Sequence, residues 1–282
     1  MADNNTYKVA GNIIGENKLY IKWASMSLHW GNPSGEDFQP WLENVKSIGY
    51  DGVTCFSDMG LESFFNKPSA LSRALSNAGL ALAAVDMQLH AADRELGPVM
   101  DLMNETGCRL LACIVHTPKE RTPDLYKHYA ETMNKIGERA CARGICAHLH
   151  NNTDSILRNF TDWELLAPLI DWSKVSFMAD TGHVTKDFAE KPHVERAVTY
   201  LDENWDKLHY LELKDYNAVT GLDTPLGEGL CDFAAIFAFM KARGYSGWIT
   251  VEQNRDNGLS LGRSPDECAR VSLNYARAGL GI

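Results

Sequence analysis

Long hydrophobic runs are missing from this sequence of 282 residues. No stretch approaches the roughly 18 or more consecutive apolar residues of a membrane-spanning helix, so neither a span nor a membrane partner is expected. Residues 1–6 are polar and are not a basic segment followed by an apolar core. The sequence therefore predicts no signal peptide.

Positive charge is also scarce, since 27 Lys and Arg stand against 37 Asp and Glu and the formal net charge is −10. Nucleic-acid binding needs clustered Lys and Arg, and this balance argues against a nucleic-acid partner. Hydrophobic residues make up 45% of the chain and aromatic residues 10%. This composition excludes a disordered chain and indicates a globular one.

Paired cysteine motifs are absent. The seven cysteines are an odd number, and no two of them are separated by exactly two residues. Cys55, Cys113 and Cys146 lie in apolar runs, where cysteine behaves as a small hydrophobic residue. We therefore expect neither a disulfide framework nor a zinc cluster, and the thiols indicate a reducing cytoplasm.

Short apolar runs alternate with longer amphipathic segments along the whole chain. Eight of the runs predict strands, and their starts lie 28–39 residues apart, which suits one strand and one helix per unit. The predicted strands are Ile21–Ser27, Gly52–Phe56, Ala81–Asp86, Arg109–His116, Ile145–His150, Val175–Asp180, Leu208–Leu213 and Gly247–Glu252.

Helix candidates lie between these strands, for instance Asp37–Ile48, Thr122–Arg143, Asp187–Asn204 and Cys231–Arg243. Eight strand–helix units without a linker rich in proline or serine predict one α/β domain over residues 1–282, a (β/α)8 TIM barrel. The alternative is an open doubly wound sheet. Such a sheet usually carries a glycine-rich loop after its first strand, which Leu28–Pro33 is not.

Ionisable residues stand where the predicted strands end, and the catalytic residues of barrels cluster there. Strand alternation places His148 with His150, and Glu212 with Lys214, on shared faces. Several buried carboxylates cannot all stay ionised unaided, and a divalent cation compensates them directly. The convergence favours a metal site over a purely structural network. The residues concerned are His116, His148, His150, Asp180, His183, Glu212, Lys214, Asp215 and Glu252.

Two further features each allow two interpretations, and a third is left out of the site. His29 and Trp30 either line the barrel mouth or only pack beside it. The loop Gly221–Gly229 either cradles a phosphate or forms a lid or turn, and its two acids without a base favour the lid. His209 has the outward parity of its strand and is left out of the site.

Several segments resemble the xylose-isomerase-like barrel superfamily, which contains sugar isomerases, epimerases and inosose dehydratases. Ile48–Val53 resembles the entry to the second strand of that family, and Asp180–His183 matches its Asp-Thr-Gly-His motif. Leu213–Asp215 resembles the end of the seventh strand, and Gly227–Phe233 with Gly244–Glu252 resembles the last repeat. The resemblance implies that Asp180 and Glu252 bind a metal and that His183 lies at the site.

The predicted fifth and seventh strands differ from the usual family pattern at two metal-ligand positions. His148–Thr153 is similar to the double-histidine segment of the inosose dehydratase branch, whereas the epimerase branches have Glu at the position of His148. Most members have a metal-binding His at the position of Glu212. We hypothesise that the two ligands are exchanged, which conserves three carboxylates and one imidazole. In the alternative, Glu212 pairs with Lys214, and the metal ligands are His148, His150, Asp180 and Glu252.

The resulting hypothesis is a divalent-metal-dependent isomerase or epimerase of a sugar or keto-sugar, acting by proton transfer through an enediolate. Glu252 is the candidate base, and Glu212 or His183 returns the proton. An oxygen-rich ligand set suits Mn²⁺, Co²⁺ or Mg²⁺. The expected metal ligands are His148, Asp180, Glu212 and Glu252, and the expected substrate contacts are His116, His150, Lys214 and Trp30.

Three alternatives remain. A lyase like inosose dehydratase begins with the same proton abstraction and then expels water from a keto-polyol. A non-catalytic carbohydrate-binding barrel needs no base, so Glu252 argues against it. A DNA-repair phosphodiesterase shares the fold of the superfamily, but the acidic charge argues against it. The substrate, its phosphorylation state and a homo-oligomeric assembly stay open.

Overall fold

The structure is a computed structural model that describes residues 19–115, 121–255 and 262–282. Eight parallel strands form a closed barrel in chain order, and β8 pairs with β1 to complete it. The predicted α/β TIM barrel is confirmed. The strands are β1 Tyr20–Met26, β2 Gly52–Phe56, β3 Ala81–Gln88, β4 Leu110–Ile114, β5 Cys146–His150, β6 Val175–Asp180, β7 Leu208–Leu213 and β8 Ser246–Val251.

Helices surround this barrel. They are α1 Phe38–Ile48, α2 Pro68–Ala78, α3 Ala92–Thr106, α4 Pro123–Cys141, α5 Phe160–Leu166, α6 Thr181–Asp187, α7 His193–Asn204, α8 Phe233–Arg243 and α9 Pro265–Leu280. The prediction of one helix over Asp187–Asn204 is wrong, because α6 ends at Asp187 and α7 begins at His193. Pro192 lies directly before α7, where its ring and missing N–H prevent a helix from continuing through it.

Strand alternation divides the apolar residues between two sides of the barrel wall. Leu149, Phe177 and Leu211 face outward and belong to the main core between strands and helices. Ala112, Met178 and Tyr210 face inward and fill the barrel interior. Nearly continuous apolar strands are typical of a parallel sheet buried on both faces.

A hydroxyl network lies inside the barrel below the strand ends. The hydroxyls of Thr54 and Thr250 lie 2.7 Å apart, and the Tyr210 hydroxyl contacts both. The Tyr210 hydroxyl also donates to Glu212 Oε1 at 3.1 Å. All four residues are buried. The network therefore supports Glu212 from below.

The glycine-rich loop is organised by one carboxylate. Asp215 accepts hydrogen bonds from the backbone N–H groups of Gly227, Gly229 and Cys231, at 2.9, 2.9 and 3.1 Å. Gly227 has a φ of 84°, which favours glycine, and a Cβ on Gly229 would overlap the Asp215 carboxylate. Because these N–H groups already have an acceptor, the loop is a turn built around Asp215 and not a phosphate cradle.

Across residues 19–115, 121–255 and 262–282, no helix combines the length and the apolar character needed to cross a membrane.

Candidate active site

Three carboxyl groups from consecutive strands converge at the C-terminal end of the barrel. Asp180 ends β6, Glu212 lies on β7, and Glu252 follows β8; one oxygen from each lies within 4.8 Å of the other two. Asp86 and His150 form an overlapping group with Glu212, in which one ligand atom from each residue also lies within 4.8 Å of the other two. All five side chains are buried. The structure therefore brings ligand-type atoms together around Glu212.

Asp180 is held so that one of its oxygens faces the cluster. Its Oδ1 caps α6, accepting from the N–H groups of Gly182 and His183 at 2.8 and 3.0 Å. The side-chain amide of Asn151 fixes the backbone, donating to the Asp180 carbonyl at 3.0 Å and accepting from the Asp180 N–H at 2.9 Å. Oδ2 is buried without a hydrogen bond among the described residues and lies 3.7 Å from Lys214 Nζ.

His150 is oriented for ligation. Its Nδ1 lies 2.6 Å from the Asn151 carbonyl, which can only accept, so Nδ1 carries the proton. The lone pair of Nε2 then faces Glu212 Oε2 at 3.1 Å, with Asp86 Oδ2 at 4.0 Å. Metal-binding histidines usually donate their other N–H to a carbonyl or carboxylate in this way.

Proton carriers flank the carboxyl cluster. Lys214 Nζ donates to Glu252 Oε1 at 2.6 Å and lies 3.4 Å from His183 Nε2. The N–H of Thr153 donates to His183 Nδ1 at 3.1 Å, so the neutral ring carries its proton on Nε2. The His183 Nε2 atom lies 3.7 Å from Asp180 Oδ2. The imidazole N–H of His183 and the ammonium group of Lys214 thus lie beside the carboxylates and can donate protons to them.

The carboxyl groups disfavour one another's ionisation. Burial raises the pKa of Asp180 to about 6, with Lys214 opposing and Glu252 adding to the shift. Burial and the adjacent Glu252 hold the pKa of Glu212 well above its usual range, and burial with Glu212 does the same for Asp86. Burial lowers the pKa of Lys214, but Glu252 and Asp180 outweigh it and the net shift is upward.

His148, expected among the ligands, lies elsewhere. It shares the inward face of β5 with His150, but it sits two residues earlier in the strand, where its ring centroid is 6.1 Å from that of Tyr210. A ring nitrogen of His148 instead groups with Cys146 and His209. The structure therefore brings His150, and not His148, to the carboxyl cluster.

Two other residues that were expected to contact the substrate are Trp30 and His116. Trp30 is half-buried, packs against His29 and Trp41, and donates its indole N–H to Asp266 at 2.7 Å. These contacts place Trp30 on the rim outside the carboxyl cluster. His116 lies outside the described residues, so its role stays a prediction.

Sequence reasoning missed Asp86 and Asn151. Asp86 was the last residue of the predicted third strand, and an acid at that point is a signal that was available. Both of its carboxylate oxygens are buried without a hydrogen bond among the residues described. Asn151 follows two histidines, and its pairing with Asp180 depends on the neighbouring strands rather than on any local pattern.

The cluster fits a divalent cation. Among the residues that the structure describes, four buried carboxyl groups face one ammonium group, that of Lys214, and oxygens of Asp86 and Asp180 have no hydrogen-bond donor. Buried charge without compensation is costly, and hard cations prefer oxygen ligands. The residues that could hold the cation are Asp180, Glu212, Glu252 and His150, with Asp86 beside them.

The chain is similar to known proteins in sequence, in fold and in its match to a family model. An inosose dehydratase of Klebsiella pneumoniae (strain 342) is 26% identical over 306 residues, covering 94% of this chain and all of that protein. For the inosose dehydratases of Geobacillus thermodenitrificans and Lacticaseibacillus casei, which are 26% and 25% identical, the match spans only 53% and 57% of the relative's length. D-allulose 3-epimerase from Methylomonas sp. has a TM-score of 0.74 at 16% identity over 93% of this chain and 99% of that one.

Another solved structure, the IOLI protein with a bound zinc atom, has a TM-score of 0.71 at 14% identity, covering 92% of this chain and 98% of that one. At these identities the two structures show a shared fold. A family model described as xylose isomerase-like TIM barrel matches residues 42–278. The match spans seven of the eight strands and every carboxyl group of the cluster, and the chain belongs to the xylose isomerase-like TIM barrel family.

Proposed function

We propose that this protein is a divalent-metal-dependent isomerase or epimerase that moves a proton on a sugar or keto-sugar. One observation carries the proposal: Asp180, Glu212 and Glu252 bring carboxyl oxygens within 4.8 Å of one another in a buried site. Such a group can hold a cation and exchange protons at the same place. The enzyme relatives of this chain include epimerases of similar fold and inosose dehydratases of similar sequence.

The proposed ligands are Asp180, Glu212, Glu252 and His150. This set has the same three carboxylates and one imidazole as the exchange hypothesis, but it gives up the exchange of His148 with Glu212, because it is His150 whose Nε2 lies beside Glu212. A bound divalent cation polarises a substrate carbonyl and stabilises the negative charge that develops on its oxygen. The oxygen-rich set suits Mn²⁺, Co²⁺ or Mg²⁺, whereas the related IOLI protein was solved with zinc.

The proton steps fall to residues around the cluster. Glu252 takes the proton from the carbon next to the carbonyl, and its ion pair with Lys214 orients the carboxylate. Glu212 is the first candidate for returning a proton to the enediolate, because its carboxyl group lies within 4.8 Å of that of Glu252. His183 is the second candidate for this return, because its Nε2–H faces the cluster at Asp180.

Dehydration is the second candidate function. After the same abstraction by Glu252, loss of a β-hydroxyl as water needs an acid near the leaving oxygen. His183 Nε2 and Lys214 Nζ, which lie 3.4 Å apart, form a pair of donors at the edge of the site. The sequence matches to inosose dehydratases favour this reading in particular.

One experiment tests the proposal and separates the two reactions. The protein is incubated with Mn²⁺ and a panel of keto-sugars and inososes in D₂O, and the products are followed by NMR. Isomerisation or epimerisation gives intact sugars with deuterium at the α carbon, whereas dehydration gives a product lighter by one water. Absence of both α-proton exchange and water loss across the panel would contradict the proposal.

A further inference from the structure

A second cluster of metal-ligating side chains lies at the opposite, N-terminal end of the barrel. Cys146 is the first residue of β5, His148 lies two residues later, and His209 is the second residue of β7. One ligand atom from each lies within 4.8 Å of the other two. This basal cluster shares no residue with the carboxyl cluster above it.

A β-bulge brings His209 into the basal cluster. Phe177 of β6 pairs with Leu208, and the next residue Met178 pairs with Tyr210. His209 is therefore an extra residue in β7, and bulges re-aim side chains at barrel ends. Strand alternation predicted an outward His209; the bulge breaks that alternation, and the prediction is wrong.

His148 is the feature of this cluster that a structural role leaves unexplained. The side chain is fully buried, and neither ring nitrogen makes a hydrogen bond of good geometry within the described residues; backbone groups of Leu111 and Cys146 lie near the ring and only partly offset the lowering of its pKa by burial. Leaving a buried polar group unsatisfied costs about 1–3 kcal/mol, so such groups usually have a partner. A ring nitrogen aimed at a thiol and a second imidazole is the arrangement that metal binding satisfies.

The donor chemistry selects a zinc-class cation. Cys146 Sγ lies 3.6 Å from His209 Nδ1. Zn–S bonds of about 2.3 Å and Zn–N bonds of about 2.0–2.1 Å at a tetrahedral angle put sulfur and nitrogen about 3.6 Å apart. A thiolate with two imidazoles suits zinc better than manganese or magnesium.

Ser176 gives the competing arrangement. Its hydroxyl lies 3.0 Å from Cys146 Sγ and 2.9 Å from His209 Nδ1, which forms a metal-free chain from thiol to hydroxyl to imidazole. This chain does not reach His148. Cys146 and His209 are only partly buried, so a cation can approach from the N-terminal end.

We propose that Cys146, His148 and His209 bind a zinc ion in a basal site separate from the carboxyl cluster. Binding forms a bond from the Cys146 sulfur to the ion and releases the thiol proton to solvent. The Ser176 hydroxyl or a water molecule completes the tetrahedron. The ion ties β5 to β7 across β6 and closes the lower end of the barrel.

Cobalt substitution tests the basal site without an activity assay. The metal-stripped full chain is titrated with Co²⁺, and the near-ultraviolet charge-transfer absorption of a thiolate ligand is recorded. The variants are Cys146→Ser and His209→Gln; Cys141→Ser, which removes an exposed thiol on α4, is the matched control. Asp180→Asn with Glu252→Gln disables the upper cluster. Circular dichroism checks the fold of each protein.

The basal site predicts two bound cobalt ions per wild-type chain and a thiolate band. Cys146→Ser abolishes the band, and His209→Gln weakens cobalt binding at it by about 10-fold or more, a loss at least as large as those found for outer-shell partners of metals. Cys141→Ser and the upper-cluster variant keep the band. No band in the wild type, or a band that survives Cys146→Ser, would overturn the proposal. Loss of the upper ion alone would count only against the proposed function.

Discussion

His150 and Glu212 meet across the mouth of the barrel, with imidazole Nε2 and carboxylate Oε2 3.1 Å apart. The carbonyl that accepts from Nδ1 leaves the Nε2 lone pair facing the carboxyl groups. Burial and the adjacent Glu252 raise the pKa of Glu212, and a protonated Glu212 can donate its proton to Nε2. A cation placed at the cluster would replace that proton and bind both atoms.

Removing His150 is expected to weaken binding of Mn²⁺ to the upper cluster. His150→Ala loses a proposed ligand, and we expect a loss of affinity of about 10- to 100-fold or more, since even outer-shell partners contribute that much. His148→Ala is the matched control on the same face of β5, and its Mn²⁺ affinity should stay close to wild type. Isothermal titration of metal-stripped protein measures both. The reverse order of effects would restore His148 as the ligand.

Glu252→Gln is expected to abolish exchange of the α proton with solvent while the fold is retained. The amide keeps the shape of the side chain but removes the base, and a general base contributes about 10²–10⁴-fold to the rate. Deuterium uptake by NMR measures the exchange, and a Mn²⁺ titration of the same variant separates loss of the base from loss of the metal. Exchange at the wild-type rate would assign the abstraction to another residue.

The sequence predicted the barrel well because each strand and helix repeats a local pattern. Val175–Asp180 and Leu208–Leu213 are recovered to the residue, since apolar runs bounded by turns need no long-range information. The site was predicted less completely. Which of His148 and His150 meets Glu212 depends on their depth in the barrel, and both have the same parity. His209 was misplaced because a bulge depends on strand pairing and leaves no local signal.

His183→Gln separates the two halves of the proton transfer. Its Nε2–H stands beside the carboxyl cluster, so removing it should slow the overall turnover more than the initial exchange of the α proton. The ratio of product formation to deuterium uptake, measured in the same NMR sample, should fall by at least about 10-fold. An unchanged ratio would show that His183 does not return the proton, and Glu212 would then be the candidate for that step.

His29 is expected to make the stability of the protein depend on pH. Burial, aided by Arg255, lowers the pKa of this imidazole to about 4, so the folded state keeps it neutral. The unfolded chain binds a proton below its ordinary pKa of about 6.5, and the folded state therefore loses stability as the pH falls from about 6.5 to 4.

Relative to His29→Gln, the wild type should lose up to about 3 kcal/mol of unfolding free energy between pH 7.5 and pH 4, because the shift spans about 2.5 pKa units. Urea denaturation of both proteins at several pH values gives this difference. A difference between the two proteins that does not change with pH would show that His29 titrates alike in the folded and unfolded chains.

Metal removal tests the central claim most directly. The protein is stripped with a chelator, its metal content is checked by elemental analysis, and α-proton exchange is measured on a substrate before stripping, after stripping and after reloading. The carboxyl cluster of Asp180, Glu212 and Glu252 predicts that exchange disappears with the metal and returns best with Mn²⁺ or Co²⁺. Full exchange activity in protein shown to be metal-free would contradict it.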